Sequence, residues 1–400
     1  MSSADSVKRV YLHVGAPKAG STFLQETLWA NRPALQEAGV GVPGVGSFEH
    51  YRASKDLRGD EFDPLEPGGD GTGSWQELAR KLRHRHEPVV VLSDELMCGL
   101  STEQIERAVV SLAPREVHTV YVMRGLHDLL PSYWQEVVKH GGKRSYPKWV
   151  RAVLRDRERH FWQLEDAASV MRRWGAWVPP ECQHLITLPP GSAGRHELWR
   201  RLASILGVEE LSVAFPEAPS NRSLGLVETE LLRQVNVELD GSLERWQRSS
   251  LVREVLSGQI LSASSEAGVP ALPRELVAEV EARQVEIIDG VAEVGCAVVG
   301  AFDDLRPQPA GEAAPVPDDT QLLSVAVRGI ARLLNEMAER QEAARRAPTT
   351  RALESALRRK SVARVLAALE GRSARLDSIL AKQAGEARDR LRGRGPRNLS

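Results

Sequence analysis

Three cysteines in 400 residues, Cys98, Cys182 and Cys296, are too few for a disulfide framework. Their spacing matches no metal-binding pattern, so no metal is expected, and the odd count fits a reducing cytoplasm. No run of about 18 uncharged apolar residues occurs, so no membrane-spanning helix is expected. The first nine residues hold no apolar stretch of the kind a secretory leader needs, which again points to the cytoplasm. Lysine is scarce: 9 residues against 44 arginines. Such a skew follows genome composition rather than chemistry, but it draws attention to any lysine inside a motif. What is there is ordinary for a globular chain: 42% hydrophobic and 27% charged residues, which exclude wholesale disorder.

The net charge of −1 hides an asymmetry. Residues 306–400 hold 19 basic against 11 acidic side chains, a charge of +8, and residues 1–305 therefore carry −9. The composition changes at the same place. Residues 306–319 are rich in Pro and Ala and read as a linker between a main domain, 1–305, and a basic helical extension, 320–400. No solenoid repeat is present.

Within 1–305, apolar runs alternate with helical periodicity. Strands are expected at Lys8–Val14, Val40–Pro43, Pro88–Ser93, Glu116–Met123 and His184–Leu188. Helices are expected at Thr22–Leu35, Ser74–His86, Thr102–Leu112, Asp128–Lys139 and Glu197–Leu206, with mostly helix beyond. Ser74 with Glu77, and Ser101 or Thr102, read as N-caps. Pro131 is tolerable only in a first turn. Glycines between 59 and 73 mark a loop, and 44–73 reads as a lid. This alternation gives an α/β fold, a parallel sheet flanked by helices on both faces. Ligands of such sheets bind beyond the C-terminal strand ends, just after Val14, Leu92 and Met123.

After the first strand comes Gly15-Ala16-Pro17-Lys18-Ala19-Gly20-Ser21-Thr22, opening straight into a helix. Small residues let the backbone wrap an anion. The first helical N–H groups have no internal partners and point the same way. Lys18 adds a point charge, and Ser21 and Thr22 add hydroxyls. In a Walker A loop the lysine follows the second glycine directly; here Lys18 precedes Gly20 by two.

A second constellation ends the strand at 116–123: Arg124-Gly-Leu-His-Asp128-Leu-Leu-Pro-Ser132-Tyr133-Trp134. A guanidinium gives a two-pronged contact to phosphate, and a serine eight residues on donates from the next helix. The pair resembles the 3′-phosphate motif of sulfotransferases that use 3′-phosphoadenosine 5′-phosphosulfate (PAPS). The loop Pro17-Lys18-Ala19-Gly20-Ser21-Thr22-Phe23 resembles their 5′-phosphosulfate loop, P-K-[ST]-G-[ST]-T-x, with Ala19 departing from the usual hydroxyl. The resemblance covers 7–25 and 116–140, is loose to 305, and is silent beyond.

It implies a P-loop-like sulfotransferase fold, PAPS as co-substrate and no metal. Gly15, Pro17, Lys18, Ala19, Gly20, Ser21, Thr22, Arg124 and Ser132 would bind PAPS, and Phe23 would stack on adenine. Arg222, in Asn221-Arg222-Ser223, is a further candidate for the 3′-phosphate, although the family's usual C-terminal Arg-Lys-Gly signature is missing. Lys18 would stabilise the leaving phosphate. The base would be Glu95, at the end of the strand at 88–93, or His13; His127 is a third candidate.

Two other readings stand beside this one. Val89-Val-Val-Leu-Ser-Asp94-Glu95 resembles a Walker B strand of an ATPase or kinase, with Asp94 for magnesium and Glu95 for water. A non-catalytic nucleotide-binding assembly protein is the other. A small-molecule, carbohydrate or lipid acceptor offering a hydroxyl or amine is expected, with carbohydrate or glycolipid hydroxyls favoured by analogy; Trp134, Trp149, Trp162, Trp174 and Trp177 cluster where an acceptor would bind. No nucleic-acid partner is expected.

In the extension, Leu323, Val327, Ile330, Leu334 and Met337 repeat at heptad spacing over about two heptads. A second apolar stretch includes Leu353, Leu357, Val365, Leu369, Leu376 and Leu380. Self-association or docking of these helices is expected first. Contact with an anionic surface, such as the inner membrane face, comes second.

Overall fold

The computed structural model describes residues 7–62, 71–156, 160–191, 193–216, 224–264, 268–307 and 317–346. Among the described residues, six strands form one parallel sheet in the order β2-β3-β1-β4-β5-β6: β1 Arg9–Gly15, β2 Val40–Gly41, β3 Val89–Ser93, β4 Glu116–Arg124, β5 Gln183–Leu188 and β6 Ala297–Val299. In the three central strands, β3, β1 and β4, consecutive residues are buried, so both sheet faces are covered. The expected α/β class is therefore observed, with β6 a strand that the periodicity did not reveal.

The helices are α1 Ser21–Ala30, α2 Arg32–Glu37, α3 Ser47–Arg58, α4 Ser74–His84, α5 Thr102–Leu112, α6 Leu126–Lys139, α7 Tyr146–Arg155, α8 His160–Glu165, α9 Ala167–Trp174, α10 Ala193–Leu206 and α11 Leu226–Glu238. Then follow α12 Arg245–Gln247, which continues as π-helical turns over Arg248–Leu261, α13 Val277–Val294 and α14 Asp319–Arg346. The chain divides into two units, Met1–Gly329 and Ile330–Ser400, the division falling inside α14.

Local signals and tertiary contacts share the work of ending these helices. Ser101 caps α5 in a reciprocal box: Gln104 N donates to Ser101 Oγ at 3.3 Å and Ser101 N donates to Gln104 Oε1 at 2.9 Å. Ser74 does not cap α4. Gly73 holds that place with φ +83°, and Asp56 of α3 reaches in to accept from Trp75 N at 3.0 Å. Likewise α6 starts two residues before Asp128, because Gln284 of α13 accepts from Leu126 N at 2.8 Å. Pro131 then lies inside the helix, not in its first turn.

The expected helix at 22–35 is two helices, α1 and α2, broken at Asn31. The segment read as a lid, 44–73, contains α3, bounded by Gly46 and Gly59; residues 63–70 lie outside the described residues. Four of the five tryptophans are core: Trp134, Trp149, Trp162 and Trp174 are buried, and Trp177 alone of the set is exposed. They pack helices and do not form an acceptor face.

The order 2-3-1-4 places the switch of direction at β1: β1 and β2 lie on opposite sides of β3, and the chain returns from β3 across β1 to β4. The crevice beyond the C-terminal ends of β3, β1 and β4 is the ligand position that such a switch creates.

Candidate functional site

Three segments meet in that crevice: Gly15–Gly20 after β1, Ser93–Glu95 after β3 and Arg124 at the end of β4. Two glycines permit the loop. Gly15 has φ +149°, and a Cβ there would lie 3.0 Å from Cys98 Cβ. Gly20 has φ +90°, with Leu198 Cδ2 only 2.6 Å from where its Cβ would lie. Gly20 caps α1 without a side chain, so the first-turn N–H groups of Ser21, Thr22 and Phe23 face the loop without a side-chain acceptor. Ala16 and Ala19 are buried supports of the turn, Ala19 N donating to Ala16 O at 3.3 Å, and Pro17 and Lys18 are half-buried. Thr22 is exposed and Ser21 buried.

Lys18 is the one non-glycine residue with a left-handed backbone among the described residues, φ +60°. That conformation costs an L-residue about 1–2 kcal/mol and is held here by the loop around it. Arg124 is one of the restraints: its guanidinium donates to Lys18 O at 3.0 Å and to Ser132 Oγ at 3.2 Å. Ser132 in turn donates to Asp128 O at 3.1 Å. The two sequence motifs are thus joined through one side chain, which presents loop and α6 to the same space. Burial lowers the pKa of Arg124 from its ordinary value, yet an arginine stays charged across the physiological range.

A residue that the sequence reading missed completes this corner. Glu136 Oε2 lies 2.6 Å from Lys18 Nζ and 3.6 Å from Lys139 Nζ. Burial raises its carboxyl pKa, but the charges of Lys18 and Lys139 outweigh that and bring it down to about 2. Glu136 lies four residues after Ser132, on the same face of α6, so helical spacing from Ser132 was the available signal. Glu165, at the end of α8, is a second missed carboxyl. It is fully buried, its Oε1 has no hydrogen-bond partner among the described residues, and burial raises its pKa well above the carboxylate range against the pull of Arg124 and Lys18.

Of the candidate bases, Glu95 opens a 3-10 helix, Glu95–Gly99, beside Gly15 and is half-buried. Its Oε2 accepts from Gln25 Nε2 at 3.3 Å, and the same amide donates to Ser93 O, so the carboxylate is held in place at the crevice. His13 is only 1% exposed, with Nδ1 2.8 Å from Ser93 Oγ, and burial lowers its pKa to about 4. It is a neutral core histidine. His127 faces α13, 3.9 Å from Glu281.

Asp94 is buried and its carboxylate accepts from Leu96 N at 2.9 Å as the cap of the 3-10 helix. Burial, then the charge of Glu95, push its pKa up to about 7. Its carboxyl group is thus occupied by the backbone at the start of the 3-10 helix. Phe23 is a core residue stacked on Phe215, ring centres 5.6 Å apart, and protein already covers its ring. Arg222 lies outside the described residues.

No protein-family model matches the chain, and no curated protein does. A solved structure, a sulfotransferase from Alicyclobacillus acidocaldarius, aligns with 59% of this chain and 93% of its own at 15% identity and a TM-score of 0.33. At that level of similarity, any assignment rests on the side chains described above.

Proposed function

We propose that the chain is a sulfotransferase that moves the sulfuryl group of PAPS to a hydroxyl acceptor. The observation that carries the reading is Arg124, bonded at once to Lys18 O and Ser132 Oγ, because it ties an anion-binding loop to a second cationic site on one crevice. The 5′-phosphosulfate would lie on the Gly15–Thr22 loop against the α1 N-terminus. The 3′-phosphate would take the free donors of Arg124 and the Ser132 hydroxyl.

Transfer is then an in-line displacement. The acceptor oxygen bonds to sulfur, and the bond from sulfur to the bridging oxygen breaks. The products are a sulfate ester and 3′-phosphoadenosine 5′-phosphate. Charge builds on the bridging oxygen, where the Lys18 ammonium stabilises it once it turns from Glu136. Glu95 takes the acceptor's proton. Catalysis comes from position and fixed charge, as in phosphoryl transfer. A carbohydrate or glycolipid hydroxyl is the acceptor class we favour.

Calorimetry with 3′-phosphoadenosine 5′-phosphate against AMP tests the reading. Tighter binding of the bisphosphate, with the difference abolished by Arg124→Ala, is expected. Equal affinity in the unaltered protein would remove the 3′-phosphate site and the reading with it.

A further inference from the structure

At the opposite end of the sheet, neighbouring strands bring together residue types that the crevice does not use. Alternation puts Glu116 and His118 on one face of β4; Cys182 ends a 3-10 turn, Pro180–Cys182, directly before β5, in which His184 is the second residue. Thr119 pairs with Gln183, so one step earlier His118 comes level with Cys182. A carboxylate oxygen of Glu116, a ring nitrogen of His118 and the Cys182 sulfur all lie within 4.8 Å of one another.

We infer that Glu116, His118 and Cys182 form a binding site for a borderline-soft divalent cation such as Zn²⁺. The donor set is right for that ion: one thiolate, one imidazole and one carboxylate, with a fourth position left for water. His118 Nε2 is 2.7 Å from Glu116 Oε1, so the two ligands need only spread by a few tenths of an ångström around a metal. His118 Nδ1 is 3.1 Å from His184 Nε2. With Nε2 on the metal, Nδ1 keeps the proton and donates to His184, the outer hydrogen bond that fixes a ligating imidazole. Tyr11 stacks on the same ring at 4.6 Å and holds its plane. His118 and Cys182 are buried while Glu116 is exposed, so the ion enters from the Glu116 side. Arg9 Nε also contacts Glu116 Oε1, at 3.3 Å, and is the cation that the metal must compete with. No sequence motif announces the set, because Cys182 lies more than 60 residues from Glu116 and His118 and meets them only through the pairing of β4 with β5.

The site lies about 26 Å from Arg124, the length of β4 at about 3.3 Å per residue, and its test is independent of transfer. Chelator-treated full-length protein is titrated with Co²⁺ and then with Zn²⁺ against a chromophoric chelator. One equivalent of Co²⁺ should give tetrahedral visible bands and a near-ultraviolet thiolate-to-cobalt band, which Zn²⁺ bleaches. Cys182→Ser should abolish the thiolate band, while Cys296→Ser should leave it. Glu116→Gln, at an exposed position that folding tolerates, should weaken Zn²⁺ binding at least tenfold, and His184→Ala should weaken it 10–100-fold. The proposal is overturned if no thiolate band forms, if the band survives Cys182→Ser, or if Glu116→Gln binds Zn²⁺ as tightly as the unaltered protein. The cluster would then be a hydrogen-bonded contact of His118 with Glu116 and nothing more.

Discussion

Lys18 and Glu136, 118 residues apart in sequence, meet at 2.6 Å across the mouth of the crevice. Both side chains are about one-third exposed. The pair holds the ammonium where an anion would otherwise draw it, so binding at the loop must exchange one anionic partner of Lys18 for another.

Removing Glu136 should therefore help anions bind. Glu136→Gln is expected to tighten 3′-phosphoadenosine 5′-phosphate by about three- to tenfold, the scale of one partly exposed ion pair. Calorimetry at low salt reads it, and weaker binding would contradict the exchange. The pair also makes stability depend on pH. The folded carboxyl titrates at about 2, below its ordinary 4.5, so its contribution is full above about pH 4.5 and is lost as pH falls towards 2. The difference in denaturant midpoint between the unaltered protein and Glu136→Gln should shrink across that window.

Lys18→Ala should cost on the order of 10²–10³ in turnover, the usual scale for one lost charge stabiliser at a transition state. The left-handed backbone at this position already burdens lysine, so alanine should fold as well. Turnover with labelled PAPS, alongside circular dichroism, tests this. Near-normal turnover would take Lys18 out of the mechanism.

Glu95→Gln should keep the bisphosphate affinity and slow transfer by about 10²–10⁴, the span of general-base catalysis. The amide keeps an oxygen to accept from Gln25, so the local structure should survive. Single-turnover rates decide the point. An unchanged rate would hand the proton to the acceptor's own groups, since His13 is buried and neutral.

On α14, Leu323, Val327, Ile330, Leu334 and Met337 are all at least half exposed. Val325, on the other side of the helix, is buried, so deletion from residue 306 would damage packing as well as the seam. The double substitution Ile330→Glu and Leu334→Glu avoids that. It should lower the mass in light scattering if the seam joins two copies, and leave bisphosphate binding unchanged. An unchanged mass would refute pairing through this face.

The candidate site is legible in the sequence where its parts are local. The glycines, Lys18, Ser21 and Thr22 follow one strand without a gap, and Arg124 and Ser132 are separated by a strand end and two turns of helix. Periodicity and turn chemistry act over a few residues, and both features fall within that range. For the same reason the sequence pattern places β1, β3, β4 and β5 within a residue or two, and of the two cap candidates, Ser101 and Thr102, Ser101 is the one the structure uses.

What lay beyond that range was decided by tertiary structure. Only packing determines that His13 is buried, that the Asp94 carboxyl is taken up by a helix cap, and that Phe23 and four tryptophans are already covered. Only the strand order puts Glu136 on Lys18 and lays Cys182 beside His118. The amino-acid sequence fixes which groups are present and how each short segment folds. Burial and pairing across the sheet set their charge and their partners, because desolvation and Coulomb interaction depend on distance in space, not on separation along the chain.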